Sequence, residues 1–254
     1  VRVITKPTVT IISRPTFAGH PEYSVPDDGD DVTRLCAFAA KGCYDSYGKD
    51  GRPCRDNQRA ILDHQHYSVI EHAHIGVFIE GISRACSMEL NRHRTFNISQ
   101  RSTRYTDEGD AAIVFGPYYS GLYNSMLGDN GSMTPTKRRL ITTALTTAES
   151  SLRSYAQQVK LLTELNPNDL DGPELRKWAR GIARDSLPHS LETRGTWTNN
   201  LRGWRHVVKM RSNRHALPEI RRLAYYIHTA LSDVTPLYFC DLEVETVDGL
   251  PEYT

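Results

Sequence analysis

Residues 91–105 read NRHRTFNISQRSTRY, four arginines and a histidine interleaved with hydroxyls, in a chain whose formal net charge is only +1. A guanidinium is a planar fork that pairs bidentately with phosphate or carboxylate, and each charge-assisted bond contributes about 1.5–3 kcal/mol. Two further arginine-rich stretches follow, Arg180 to Arg194 and Arg202 to Arg214. One arginine on a helix is most simply a solvated charge; three clusters suit polyanionic small molecules. A second chemistry-bearing group is His64, His66, Glu71, His72 and His74. Alternate residues of a strand share a face, so His72 and His74 are expected to point together, as in a zinc-dependent hydrolase built on His64, His66, His72 and His74. The spacing completes no known catalytic zinc pattern, and no metal ligands are assigned.

Composition excludes several classes. The 31 basic and 30 acidic side chains nearly cancel, so the domain-wide basic excess of a nucleic-acid-binding module is missing. Five cysteines, at 36, 43, 54, 86 and 240, form no CxxC pair, which fits reduced thiols in a cytoplasmic protein. No apolar run approaches the length of a membrane span, and VRVITKPTVT lacks the apolar core of a signal peptide. Neither GxGxxG nor GxxxxGK[ST] occurs, nor do GxSxG or HExxH.

The elements that must position these residues read as an α/β mixture without a domain break. Val9, Ile11 and Ile12 suggest a strand, and Asp30-Asp31 can cap a helix through Tyr44 with Leu35, Ala39 and Ala40 on one face. DNQRAILDH (56–64) reads as a helix, AHIGVFIEG as a strand, and SRACSMELNRHR as a helix that delivers the arginine cluster at its C-terminus, where cations are favoured. Residues 106–134, rich in Gly, Asp, Asn and Tyr, read as a long loop excursion. Helices are expected over TPTKRRLITTALTTAESSLRSYAQQVKLLTEL, GPELRKWARGIARDSLP, LRGWRHVVKMRS and LPEIRRLAYYIHTALSDV, with strands at ETRGTWTNN and YFCDLEV.

Arg92-His93-Arg94, seven residues, then Ser102 is the pattern RHR-x7-S, and it resembles the signature of the flavin-dependent thymidylate synthases. HQHYSVIEHA, SRACSMELNRHR, ARDSLP, NNLRGWRHVVKMRSNRHALPEIRRLA and YFCDLEV are similar to family segments and stand in the family's order, covering residues 60–105 and 175–245. The resemblance implies a single α/β (α+β) domain over 1–254, with a central mixed or antiparallel sheet flanked by helices. It implies a homotetramer with shared active sites, FAD as cofactor, and NADPH and 5,10-methylenetetrahydrofolate as cosubstrates in the conversion of dUMP to dTMP. No nucleic acid or membrane partner is implied.

Carried over by motif, Glu89, Leu90, Asn91, Arg92, Gln100, Arg101, Ser102, Thr103, Arg104, Arg184 and Arg211 fall at dUMP positions. Ser68, Arg92, His93, Arg94, Gln100, Asn200, Leu201, Arg202 and His206 fall at FAD positions, and His66 and His215 near the folate. Asn97, Ser99-Gln100 and His206 depart from frequent family residues, yet each keeps a hydrogen-bonding side chain. Arg211 is the expected catalytic residue: arginine stays protonated and so is no base, but it can stabilise an anionic uracil. On a helix continuing past Arg211, His215 would share its face. Cys86 is the cysteine nearest the cluster in sequence, and it reads as an apolar-face residue, which argues against thiolate attack on the pyrimidine.

Overall fold

The computed structural model describes residues 1–128 and 133–254. In chain order the first half contains β1 (Val3–Ile4), β2 (Thr8–Ser13), α1 (Asp31–Gly42), α2 (Cys54–Asp63), β3 (His74–Ser83), α3 (Arg84–Leu90), β4 (Asn97–Gln100), β5 (Ile113–Val114) and α4 (Pro117–Leu127). The second half contains α5 (Pro135–Leu165), α6 (Gly172–Ala183), β6 (Glu192–Asn200), α7 (Leu201–Ser212), α8 (Pro218–Val234), β7 (Val244–Val247) and β8 (Leu250–Tyr253). Short 3-10 turns at Tyr67–His72, Arg184–Ser186 and Pro236–Tyr238 link them.

The result is the expected mixed α/β fold, with sheet strands flanked by helices. One sheet runs β2-β3-β6-β4; β1 pairs with β5 in parallel, and β7 with β8 antiparallel. The last pair closes through Asp248 and Gly249 at φ 54° and 74°, the left-handed conformation that a two-residue hairpin requires and an Asp-Gly pair supplies. The backbone divides into two compact units, the first Val1–Pro7, Glu80–Leu90 and Ser99–Gly195, the second Thr8–Ile79, Asn91–Ile98 and Thr196–Thr254.

In the first unit Ile113, Phe115, Leu122, Ile141 and Ala148 form a core on which Tyr119 and Tyr123 of α4 pack. Thr134 caps α5, accepting from the Lys137 N–H at 3.3 Å, and Pro135 occupies the first turn, where its missing N–H costs no bond. In the second unit Trp204, Val207 and Val208 of α7, Ile220, Leu223 and Ile227 of α8, and Ile75, Val77 and Ile79 of β3 are all buried. Asp30 caps α1 through its carboxylate, accepting from the Thr33 N–H at 2.8 Å.

Several expectations are corrected. The 106–134 excursion is not a loop throughout: it contains β5 and α4, with residues 129–132 outside the described ones. On α1 the buried face is Val32, Cys36, Ala37 and Ala40, while Leu35 and Ala39 are only partly covered. YFCDLEV is not a strand, since a 3-10 helix and the hydrogen-bonded turn that follows it precede β7, which starts at Val244. His72 closes a 3-10 turn and β3 starts at His74, so the two are not alternate residues of one strand. Among the described residues no helix is long and apolar enough to cross a membrane.

Candidate active site

In the second unit the arginine cluster follows the end of α3 as a turn with alternating exposure: Arg92 and Arg94 are exposed and His93 is buried. Two bonds strap this turn to β6. The Trp197 indole N–H donates to Asn91 Oδ1 at 2.9 Å, and Asn199 Nδ2 donates to Thr95 Oγ1 at 3.0 Å. Phe96 packs edge-on against buried Trp204, ring centroids 4.8 Å apart, which fixes the far side of the turn.

His93 is the centre of this half. Its Nε2 accepts the Arg211 Nε–H at 2.8 Å, and its ring meets His206 edge-on at 5.6 Å. Burial, then the Arg211 charge, then His206 bring its pKa down to about 4, so the imidazole is neutral at pH 7 and available as an acceptor. Arg211 and His206 both come from α7, whose first turn is capped by Asn200 accepting from the Gly203 N–H at 2.8 Å. Leu201, expected at the flavin, is fully buried, and its N–H donates to the Ala73 carbonyl at 2.9 Å. Arg202 pairs with Glu71 at 2.6 Å on an exposed surface.

Tyr67, Arg202, Arg205, His206 and Lys209 line a cavity of about 180 Å³. That volume takes a phosphate group or a single ring, not a whole dinucleotide. Arg205 is already held by Asp241 at 2.6 and 2.7 Å and by the Tyr238 carbonyl, and its guanidinium lies over the Tyr67 ring. The exposed His206 and Lys209 remain as polar heads on the α7 side. Ser68 and His66 are exposed in and beside the 3-10 turn that packs on α7. His215 is corrected: α7 ends at Ser212, and His215 sits in the following turn, its N–H donating to Asn213 Oδ1 at 3.0 Å. Among the described residues no three His, Cys, Asp or Glu converge as metal ligands, so the histidine cluster gives the zinc hydrolase no support.

The first unit holds the other group. Leu90 is buried in α3 and Glu89 half-buried. Gln100 Nε2 donates to Ser87 Oγ at 2.9 Å and Thr193 Oγ1 at 3.0 Å, pinning the end of β4 between α3 and β6. Gly195 permits this crossing, because a Cβ there would meet the Ser99 carbonyl and stand 2.8 Å from Gln100 Cα. A turn follows: the Ser102 carbonyl accepts the Thr106 N–H at 3.1 Å, and Ser102 Oγ accepts the Arg104 N–H at 3.3 Å. Ser102 and Thr103 are half-buried, and Arg104 is exposed, crossing α6 at Gly181 with its Nε 3.6 Å from where a Cβ would be. Arg184 lies three residues on from Gly181, on the same helical side, and is exposed. Arg180 steadies the turn by donating to the Tyr105 carbonyl at 2.9 Å and Asp107 at 3.1 Å.

In the first unit, then, Ser102 and Arg104 share a braced turn that meets α6 at Gly181, and Arg184 stands exposed at the end of that helix. Arg101, expected among the substrate contacts, has its guanidinium on Glu108 at 2.8 Å and Glu192 at 3.3 Å. Sequence reading passed over those carboxylates and the straps Asn91–Trp197 and Asn199–Thr95. A single Glu, Asn or Trp has no local signal, although TWTNN placed both strap residues of β6 on a strand.

The family model described as Thymidylate synthase complementing protein matches residues 26–237. The flavin-dependent thymidylate synthase of Mycobacterium marinum is 38% identical over 248 residues, covering 95% of this chain and 92% of the relative. That of Mycobacterium tuberculosis is 37% identical with the same coverage. Among solved structures, the UMP/dUMP methylase PolB of Streptomyces cacaoi, bound with 5-Br UMP, superposes with a TM-score of 0.67 at 20% identity, over 94% of this chain and 95% of that one. Thymidylate synthase X of Helicobacter pylori, with FAD and dUMP, gives 0.57 at 17% identity over 92% and 99%. These two establish likeness of fold, and the mycobacterial relatives with the family model establish descent: the chain belongs to the flavin-dependent thymidylate synthases, a family of methyltransferase enzymes.

Proposed function

We propose that the chain converts dUMP to dTMP, taking the carbon from 5,10-methylenetetrahydrofolate and the reducing electrons from NADPH through FAD, as one catalytic domain (1–254) of a cytoplasmic homotetramer with shared sites. The observation that carries this is Arg211, a permanent cation whose Nε–H is held at 2.8 Å by a neutral histidine inside the RHR turn. A guanidinium oriented in this way presents preorganised charge, of the kind that stabilises the electron-rich uracil that attacks a one-carbon unit from C5. The reaction needs no nucleophilic side chain on this account. The thiols agree, since burial pushes Cys36 up to about 12 and Cys54 up to about 11.

The nucleotide's phosphate would lie against Ser102, Thr103, Arg104 and Arg184, with Gln100 shaping the approach and Glu89, Leu90, Asn91 and Arg92 bordering the substrate. FAD would be held by Ser68, Arg92, His93, Arg94, Gln100, Asn200, Leu201, Arg202 and His206, Leu201 through its place in the α7 backbone. The donors lining the small cavity beside α7 are cationic or aromatic, which fits one phosphate or ring portion of a dinucleotide. FAD, when bound, supplies the hydride chemistry, and this chain's residues orient and charge-stabilise the pyrimidine. His66 borders the folate. Two fold relatives, one bound with 5-Br UMP and one with FAD and dUMP, support a pyrimidine nucleotide and a flavin here. All five cysteines are free thiols, which suits the cytoplasm.

The test is anaerobic incubation of the FAD-loaded protein with NADPH, dUMP and methylenetetrahydrofolate. dTMP should form only with all three present, and NADPH oxidation should rise when dUMP is added. FAD-loaded protein that makes no dTMP under these conditions refutes the proposal.

A further inference from the structure

Arg101 differs from Arg92, Arg94 and Arg104 of the signature segment in being only partly exposed. Its Nη2 donates to Glu108 Oε2 at 2.8 Å and its Nη1 to Glu192 Oε2 at 3.3 Å, and Glu108 is completely buried. The backbone around it is tied just as closely. The Arg101 N–H donates to the Arg194 carbonyl at 2.9 Å, its carbonyl accepts from Arg84 Nη2 at 2.8 Å, and Glu192 Oε1 accepts the Gly81 N–H at 3.2 Å. The Glu108 N–H, in turn, donates to the Tyr155 hydroxyl at 3.4 Å. Arg101, just before the Ser102–Arg104 turn, and Glu108, four residues after it, therefore belong to one ion-paired cluster.

We propose that Arg101 is a positioning residue: clasped by Glu108 and Glu192, it sets the shape of the Ser102–Arg104 turn that receives the nucleotide phosphate and does not itself touch the nucleotide. This rests on the reading of that turn as the phosphate site. The clasp contains its own proton-sensitive partner. Facing Glu108 are Arg101 and Asp107 from the same loop, Arg84 from α3, Glu192 from β6 and the Tyr155 hydroxyl from α5. Burial, outweighing the pull of Arg101 and Arg84, raises Glu108 to about 7. Glu108 Oε1 is buried with no hydrogen-bond partner among the described residues, so Arg101 supplies the side-chain hydrogen bond to this carboxylate and Arg84 adds only its charge. The charge-assisted bond to Arg101 is complete above neutrality and weakens as the pH falls through it.

The experiment compares dUMP dissociation constants from pH 6 to pH 8.5, by calorimetry on the FAD-loaded protein, for the wild type and Glu108→Gln. The nucleotide phosphate takes its own second proton near pH ~6, identically for both proteins, and drops out of the comparison. The wild type should lose about tenfold in affinity between pH 8 and pH 6 beyond the loss shown by Glu108→Gln, whose affinity is the weaker at pH 8. Two parallel profiles overturn the proposal, as does Glu108→Gln binding like the wild type at pH 8. Should Glu108→Gln not fold, Arg101→Lys, which keeps the charge and loses the fork, is measured at pH 8: wild-type affinity overturns the proposal and weakened affinity supports it. Ser102→Ala and Arg104→Ala separate the two levels of the argument. If neither weakens dUMP binding, the phosphate assignment fails and the positioning role falls with it; if either weakens binding and the pH profiles are parallel, the positioning role alone fails.

Discussion

Replacing His93 by glutamine tests whether the site's charge is set by keeping this ring neutral. The imidazole has an ordinary pKa of 6.5 and is brought down to about 4, first by burial and then by Arg211 and His206. The folded protein therefore binds fewer protons here than the unfolded chain between those values. Stability from this group is complete above pH 6.5 and is lost as the pH falls toward 4. The whole shift is worth about 3 kcal/mol, and at pH 5.5 about 1.4 kcal/mol of it has gone. At 9% exposure the ring is sheltered enough that solvent screening leaves most of this figure intact. Urea unfolding of FAD-loaded wild type and His93→Gln at pH 7.5, 6.5, 5.5 and 4.5 measures it, and the changing difference between the curves isolates His93 from all other titrating groups. The wild type should lose stability on acidification that the variant does not, by about 1.4 kcal/mol between pH 7.5 and 5.5. Differences that stay constant with pH would refute the account of a buried neutral ring. Glutamine keeps an acceptor for Arg211, so the variant should retain measurable turnover at pH 7.5.

Arg211→Ala should abolish most turnover at saturating dUMP while nucleotide still binds, as steady-state kinetics beside calorimetry will show; a rise in KM alone would contradict the electrostatic role. Ser102→Ala should weaken dUMP binding by about 1–3 kcal/mol with turnover at saturation largely kept, and lost turnover with intact binding would make the hydroxyl a nucleophile instead. Cys86 is buried, and Cys36 and Cys54 are held as thiols well above neutral pH, so Cys86→Ala, and a folded variant lacking all five cysteines, should still form dTMP. Loss of dTMP formation in a folded, FAD-bound, dUMP-binding Cys86→Ala protein would bring a thiol into the mechanism.

Local pattern decides an element when the sequence states both its period and its ends. ETRGTWTNN alternates over its full length and the next residues open an amphipathic helix capped by Asn200, so β6 and α7 were legible almost to the residue. α4 was not, because GPYYSGLYNSML is poor in strong helix formers; what makes it helical is tertiary, Leu122, Tyr119 and Tyr123 packing into the core around Ile113 and Ile141. The YFCDLEV segment failed for the opposite reason, since its β-prone residues are used to bury Tyr238 and Phe239 from a 3-10 turn. His215 was tied to Arg211 by helical spacing that stops at Ser212, three residues short.

The arginines show where composition stops informing a site. Counting them in RHR-x7-S, ARDSLP and LRGWRHVVKMRSNR treats all as equal, and the structure sorts them by what faces each guanidinium. Arg101 lies on Glu108 and Glu192, Arg205 on Asp241, Arg214 on Glu252 and Glu245, and Arg221 on the carbonyls of Ser212, Val247 and Leu250. Those four build the frame. Arg92, Arg94, Arg104 and Arg184 are exposed, and the Arg211 Nε–H donates to an uncharged histidine. A neutral imidazole orients the guanidinium without adding a charge of its own. In a near-neutral chain, acidic residues thus pair with arginines that brace the fold, Arg101, Arg205 and Arg214 among them.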